Sequence, residues 1–196
     1  MTLAMTSHFD PVATAVSRSP DWERGETFQA FLETAEDNVD LWTKGFERAR
    51  VPQDLVARIE AAPGTWKWLV LSEDWCGDAS NTVPPLAAFA QAAGNVELRV
   101  LARDENLELM DEHLTNGTAR SIPIVIVLDG DGVERGWWGP RPSDLQAWFY
   151  SDESQAMEKD DRYRELRKWY ARDRGASAVR EVVAMIEQAG GGDAVA

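Results

Sequence analysis

The single cysteine of this 196-residue chain, Cys76, is the residue best suited to carry chemistry. It lies in the segment 72–79 (SEDWCGDA), between a short apolar run and a helical pattern. At a strand-to-helix junction, unpaired N–H groups and the positive end of the helix dipole stabilise a thiolate, which is the nucleophilic form of cysteine. The position of Cys76 therefore predicts a reactive thiol.

Three acidic residues close to Cys76 oppose this activation. Glu73, Asp74 and Asp78 lie within three residues of the cysteine, and nearby negative charge raises the pKa of a thiol. Two interpretations of Cys76 therefore stay open, a reactive thiol or an inert remnant in a fold now used for binding. Asp78 is either a proton acceptor for the thiol or a first-turn acid that complements the helix dipole, and we favour the second interpretation.

The sequence on either side of Cys76 alternates between strands and helices. Short apolar runs predict four strands, at 66–71, 96–101, 123–128 and 133–138. Helices are predicted at 77–93, where Pro84 and Pro85 interrupt the pattern, and at 107–114 and 143–150. The Asp-Gly-Asp-Gly sequence at 129–132 is typical of a hairpin turn between the last two strands. This order predicts an α/β fold, with a central mixed four-stranded sheet and helices on both faces.

Helical segments flank this core at both ends. Apolar spacings predict one amphipathic helix over 27–48 and a second over 52–61. Charge pairs at i, i+4 within 154–189 predict one or two solvated helices, separated by Gly175. The predicted organisation is a flexible N-terminal arm at 1–25, N-terminal helices at 26–62, the core at 63–150 and a C-terminal helical extension at 151–196.

The WCGDA segment at 75–79 resembles the Trp-Cys-Gly-x-Cys active site of thioredoxins, in particular a bacterial thioredoxin-like group that carries Cys-Gly-Asp-Cys. Pro84 stands where thioredoxins have the proline of the active-site helix, and Pro123 matches their cis-proline. The segments that also resemble this bacterial group are 103–106 and 139–142. The resemblance covers residues 65–150 and implies a thioredoxin-like fold.

Two residues depart from the thioredoxin pattern. Ala79 stands in the place of the second, resolving cysteine, so an intramolecular dithiol–disulfide cycle is impossible. Val70 stands in the place of the buried aspartate that helps to move the proton of the resolving thiol in thioredoxins. Both departures affect the same half of the thioredoxin reaction, the step that the resolving thiol carries out.

The resemblance implies monothiol thiol–disulfide exchange at Cys76, with glutathione or another low-molecular-weight thiol as co-substrate and no other cofactor. It also implies a substrate groove in which Pro123 faces the thiol and the backbone of Ile122 pairs with an extended peptide. Trp75 would limit access to the sulfur, Gly77 would let the chain turn into the helix, and Asp78 would also belong to this groove. The alternative function is a redox-inactive module that binds a peptide or a protein. An iron–sulfur cluster shared by two chains is disfavoured, because acids surround the thiol and no basic glutathione clamp is evident.

Composition restricts the partners of the chain. With 34 acidic and 20 basic residues, its formal charge is −14, which disfavours nucleic acid and anionic membrane surfaces. No apolar run reaches the roughly eighteen residues of a transmembrane helix, and no secretory signal is expected at the N-terminus. One cysteine and two histidines are a poor zinc set, so no metal site is predicted. We expect a protein of the reducing cytoplasm that acts on a protein or small-thiol disulfide, and the sequence carries no signal for an oligomeric state.

Overall fold

The structure is a computed structural model that describes residues 7–8 and 16–192. Its strands are β1 (Ser7–His8), β2 (Glu26–Thr27), β3 (Trp66–Ser72), β4 (Val96–Ala102), β5 (Ile124–Asp129) and β6 (Glu134–Trp138). These described strands form one mixed sheet in the order β1-β6-β5-β3-β4-β2. The four predicted strands form its centre and helices cover both faces, which confirms the predicted fold class. β1 and β2 add two residues at each edge and are too short for alternation to reveal them.

Helices precede, connect and follow the strands. They are α1 (Ser19–Arg24), α2 (Phe28–Thr34), α3 (Val39–Glu47), α4 (Gln53–Ala61), α5 (Gly77–Ala92), α6 (Leu107–Asp111), α7 (Ser143–Phe149), α8 (Asp152–Gln155), α9 (Lys159–Asp173) and α10 (Ala176–Gly192). Across the ranges given above, none of these helices combines the length and the hydrophobicity that are needed to cross a lipid bilayer.

The helix predicted over 27–48 is in fact divided into α2 and α3. Asn38 adopts a left-handed backbone conformation with φ of 53°, and the N–H groups of Glu36 and Asp37 donate to a side chain outside the helix. An uninterrupted helix would need those N–H groups for its own backbone bonds, so the single-helix prediction is wrong at this point.

β3 lies at the centre of the sheet and leads into the Cys76 segment. It runs parallel to β4 and antiparallel to β5, and Val70 is opposite Val100 on one side and Val125 on the other. Residues 68–71 are fully buried, as expected for a central strand that is covered on both faces. The end of this strand at Ser72 therefore gives the loop that carries Cys76 a fixed starting point.

α5, the helix that follows Cys76, continues through Pro84 and Pro85, so the predicted interruption at the prolines is wrong. Two glycines pack directly against these rings. A Cβ on Gly45 of α3 would lie 3.1 Å from Cβ of Pro84, and a Cβ on Gly175 would overlap the ring of Pro85. Small residues thus allow both flanking helical regions to approach α5 closely.

The last part of the predicted N-terminal arm packs on the core. Residues 19–24 form α1, and Trp22 is only 2% exposed. The guanidinium of Arg99 lies 4.7 Å from the centre of the Trp22 ring, and Arg18 forms ion pairs with Glu112 and Glu134. Residues 1–6 and 9–15 of the arm lie outside the described residues.

The C-terminal extension consists of α8, α9 and α10. Gly175 separates the last two helices, where its φ of +80° follows an Arg174 that is also left-handed. The apolar face of α10 is buried, through Val179, Val182, Val183 and Ile186. The division of the chain at residues 26, 63 and 151 stays a prediction.

The close approach of Gly175 to Pro85 can be tested with two alanine substitutions. Gly64 has nearly the same φ, +81°, but a Cβ there would meet no atom within 4 Å. Gly64→Ala should therefore lower the free energy of unfolding by about 1–2 kcal/mol, the cost of a Cβ in a left-handed residue. Gly175→Ala should cost about 1–3 kcal/mol more, because the added methyl group overpacks the contact. Denaturant unfolding measures both values, and equal losses would contradict the role of the Gly175–Pro85 contact.

Candidate active site

Cys76 occupies the N-cap position of α5, with an extended backbone conformation. The residue is 8% exposed, and its thiol donates to the carbonyl oxygen of Ile122 at 3.5 Å. The Ile122–Pro123 peptide bond is cis. The backbone N–H groups of Asp78 and Ala79 lie in the first turn of α5, but the sulfur makes no capping hydrogen bond with them. The fold therefore brings Cys76 and the Ile122–Pro123 segment together, although they are far apart in the sequence.

Opposing effects act on the pKa of the Cys76 thiol. Burial raises this pKa above its ordinary value, and the carboxylate of Asp78 acts in the same direction. The N–H groups of Ala79 and Asp78 and the charge of Arg141 act to lower it, but burial prevails. The resting thiol is therefore protonated at neutral pH.

Trp75 lies beside the thiol and leaves 49% of its surface exposed. The guanidinium of Arg103 is 5.4 Å from the centre of its ring and donates to the carbonyl oxygen of Arg120 at 2.6 Å. Gly77 does not need to be glycine for its backbone, because its φ lies outside the left-handed region and an added Cβ would meet nothing within 4 Å. The expected turn into α5 thus does not depend on the special freedom of glycine.

The carboxylate of Asp78 is held by two side chains from distant parts of the chain. Its Oδ2 forms an ion pair with Nη2 of Arg141 at 2.5 Å, and its Oδ1 accepts from the hydroxyl of Tyr170 at 2.8 Å. The side chains of Asp78 and Arg141 are only 11% and 10% exposed. Because both oxygens are occupied, Asp78 is not placed as a free proton acceptor for Cys76.

Arg141 has further contacts that fix its guanidinium. Nη1 donates to Oε1 of Gln146 at 3.1 Å, and the guanidinium lies 4.1 Å from the centre of the Phe149 ring. Burial acts to lower the pKa of Arg141, but the carboxylate of Asp78 outweighs it and raises that pKa. Burial raises the pKa of Tyr170 well above its ordinary value, so its hydroxyl stays protonated and donates.

Sequence reasoning did not find the roles of Arg141 and Tyr170. Arg141 stood out only as part of the segment 139–142, and Tyr170 lay in a stretch interpreted as a solvated helix. The sequence did indicate that one face of this helix is buried, because the apolar Leu166 and Tyr170 lie four positions apart. Both residues are buried in α9. This spacing marks the face of α9 that packs on the protein.

Asp74 connects the Cys76 loop to the N-terminal helices. Its Oδ2 accepts from the N–H groups of Glu36 at 2.7 Å and Asp37 at 3.0 Å. Its carbonyl oxygen accepts from Nδ2 of Asn38 and Nε1 of Trp42, both at 3.0 Å. Burial acts to raise the pKa of Asp74, but the N–H bonds from Asp37 and Glu36 prevail and hold that pKa below its ordinary value.

Glu73, the third nearby acid, connects the loop to the turn after β4. Its Oε1 accepts from the N–H group of Asp104 at 2.7 Å, and burial raises the pKa of Glu73. All three acids near Cys76 therefore have specific partners in the fold.

The histidine, cysteine and acidic side chains in the described ranges include no group of three or more that could hold a metal ion. His113 is buried in a different network, where Nδ1 lies 2.7 Å from the carbonyl oxygen of Leu109 and Nε2 lies 3.0 Å from Oε1 of Glu134. The side chain of His8 lies outside the description.

The central sheet, the cysteine at the start of the helix after β3, and the cis-proline before β5 together define a thioredoxin-like protein. The comparison with family models supports this class. A model described as thioredoxin matches residues 25–159, and the chain belongs to this family.

Two solved structures are similar to this chain. A protein of unknown function, PA1234 from Pseudomonas aeruginosa, has a TM-score of 0.69 and 22% identity, covering 89% of this chain and 99% of its own. An HIV epitope-scaffold has a TM-score of 0.68 and 20% identity, covering 88% of this chain and 99% of its own. At these identities the likeness shows the fold alone. No curated protein matches the chain significantly.

The raised pKa of Cys76 predicts its alkylation behaviour. The rate of reaction with iodoacetamide should increase with pH to a midpoint above about 8.5, the value of a free cysteine, because only the thiolate reacts. The chain has no other thiol, so the labelling is specific. The same chain unfolded in denaturant is the control and should titrate at the free-cysteine value. A folded-state midpoint below that of the unfolded chain would contradict the dominance of burial.

The Asp74 contacts predict a loss of stability on truncation. Asp74→Ala should lower the free energy of unfolding by about 1–3 kcal/mol, because the N–H groups of Glu36 and Asp37 lose their acceptor. Asp40→Ala is the matched control, since Asp40 is an exposed acid of α3 that pairs with Lys44 and should contribute at most about 0.5 kcal/mol. Denaturant unfolding compares the two variants, and similar values for both would rule out a structural role for Asp74.

Proposed function

We propose that this thioredoxin-family protein carries out monothiol thiol–disulfide exchange at Cys76, on a protein or low-molecular-weight mixed disulfide. The observation that carries the proposal is the position of Cys76 at the N-cap of α5, where the N–H groups of Asp78 and Ala79 in the first turn act to lower the pKa of the thiol. Such donors stabilise negative charge on the sulfur as the thiolate forms. A cysteine used only for packing has no need of them.

The exchange proceeds in two substitutions at sulfur. The thiolate of Cys76 attacks one sulfur of the substrate disulfide, whose S–S bond breaks as a new S–S bond to Cys76 forms and the other sulfur leaves as a thiolate. An external thiolate then attacks the sulfur bound to Cys76 and restores the Cys76 thiolate. Because Ala79 offers no internal thiol, glutathione or another low-molecular-weight thiol must perform this second step, and a reducing cytoplasm would supply it.

The residues around the sulfur have separate roles in this proposal. The exposed ring of Trp75 provides apolar contact beside the reacting sulfur. The backbone of Ile122, next to Pro123, pairs with an extended substrate, as the thioredoxin resemblance implies. Gly77 lines the approach to the helix start and adds no side chain that would obstruct it.

The protonation state of Cys76 controls the rate of the proposed reaction. Because burial raises the thiol pKa, only a small fraction is thiolate at neutral pH, and exchange should accelerate as the pH rises. A thiolate of high pKa is also a stronger nucleophile. The reaction is therefore slowed by less than the thiolate fraction alone would imply.

A redox-inactive peptide- or protein-binding module is the second candidate function. The burial of Cys76 and its raised pKa favour this function, because a protonated and shielded thiol reacts slowly. The exposed Trp75 beside the groove suits the binding of an apolar side chain. In this case the sulfur would contribute to packing rather than to chemistry.

A peptide whose one cysteine is linked to glutathione distinguishes the two functions. The pure protein, with free glutathione as the second thiol, should release the peptide thiol faster than Cys76→Ser does, and the difference should grow with pH. Equally slow release by the two proteins would reject the exchange reaction. Binding of the same peptide, measured by calorimetry, should be unchanged in Cys76→Ser if the groove acts only as a binding module.

A further inference from the structure

The carboxylate of Asp78 has partners from two regions outside α5. We call Asp78, Arg141 and Tyr170 the Asp78 network. Arg141 precedes α7 and Tyr170 belongs to α9 in the C-terminal extension, and they hold the two carboxylate oxygens at 2.5 and 2.8 Å. All three side chains are about nine-tenths buried or more. A buried ion pair of this kind keeps a fixed geometry because losing either partner would leave an unpaired charge.

The Asp78 network has a fixed relation to the sulfur of Cys76. Asp78 lies in the first turn of the helix that Cys76 caps, and both its N–H group and its carboxylate act on the pKa of the thiol. Any rotation of the first turn therefore moves both the N–H group and the carboxylate relative to the sulfur. Arg141 and Tyr170 prevent that rotation by holding the carboxylate from the side.

We propose that Arg141 is a positioning residue for Cys76, which neutralises Asp78 next to the thiol and fixes the first turn of α5, and that Tyr170 completes this arrangement from the C-terminal extension. The catalytic meaning of the proposal rests on the proposed exchange reaction. The effect of Arg141 on the pKa of the thiol does not depend on that reaction, because the ionisation of Cys76 can be measured without a substrate.

The charged and titratable groups that face the Asp78 network and the thiol come from several elements. The carboxylate of Asp78 raises the pKa of the thiol and the guanidinium of Arg141 lowers it. Arg141 is faced by Asp78 from α5, by Tyr170 from α9 and by Tyr150 at the end of α7. The remaining acids near Cys76 are Glu73 and Asp74 on the preceding loop, whose carboxylates accept N–H bonds from other parts of the chain. Substitutions that remove the charge of Asp78 or of Arg141 should therefore shift the pKa of the thiol in opposite directions.

Two single variants and their combination test this proposal through the alkylation rate of Cys76 near neutral pH. Asp78→Asn keeps the side-chain shape, removes the negative charge and leaves Arg141 in place, so the rate should rise about threefold to tenfold. Arg141→Met leaves Asp78 without its counter-charge, so the rate should fall by a similar factor. The double variant, which removes both charges, should react within about twofold of the unmodified protein.

Tyr170→Phe keeps the buried ring and removes only the hydroxyl, which makes it the milder variant if Arg141→Met does not fold. The alkylation rate of this variant should fall by about twofold, in the same direction as that of Arg141→Met, because Asp78 loses one donor that disperses its charge. Arg58→Met is the matched control, because it removes an arginine of an exposed ion pair with Glu187, between α4 and α10. The control should leave the rate unchanged.

The proposal would be overturned if Asp78→Asn and Tyr170→Phe changed the alkylation rate of Cys76 in the same direction, or if neither variant changed it. Opposite shifts support it, since general loosening of the structure would expose the thiol and accelerate both variants. The peptide–glutathione assay reports separately on function. Opposite shifts in alkylation without any turnover would retain the positioning role and reject the exchange reaction.

Discussion

The placement of acidic side chains beside a buried thiol is the constraint on which the rest of this structure depends. Asp74 and Asp78 each lie two residues from Cys76, Asp74 partly and Asp78 largely buried, and a carboxylate that loses contact with water needs compensating donors. The N-terminal helices supply them to Asp74, through the N–H groups of Glu36 and Asp37. Arg141 and the C-terminal extension supply them to Asp78. The extensions are therefore parts of the site and not additions to a complete domain.

Packing against the active-site helix reinforces these polar contacts. Gly45 of α3 lies against Pro84, and Gly175, between α9 and α10, lies against Pro85. Each extension is thus held in two places, once through a hydrogen-bonded acid at or just before the start of α5 and once through a glycine that packs against a proline in the middle of α5. Because interiors are close-packed, a shift of either extension would be transmitted to the helix that carries Cys76 at its N-cap.

Local patterns were sufficient for the central fold, but not for the contacts around Asp78. Apolar runs of strand length and the junction at Cys76 are short-range features, so the four central strands and the position of the cysteine could be predicted. Arg141 and Tyr170 bond to Asp78 across 63 and 92 residues of sequence, and one sequence carries no signal for such a pair. The break between α2 and α3 could not be predicted for the same reason, since it depends on the bonds of Glu36 and Asp37 to Asp74, which lies more than thirty residues further along the chain.

The two departures from the thioredoxin pattern fit the observed geometry. Ala79 and Val70 are both fully buried, and an aspartate at Val70 would be an unpaired charge between the valines of β4 and β5 unless it served a resolving thiol. With both carboxylate oxygens of Asp78 held by Arg141 and Tyr170, that acid is not free to take the proton of Cys76. In the proposed exchange the proton therefore passes to solvent or to the incoming substrate. Deprotonation is then governed by the access of water to a thiol that is 8% exposed, which couples the reactivity of Cys76 to the packing around the start of α5.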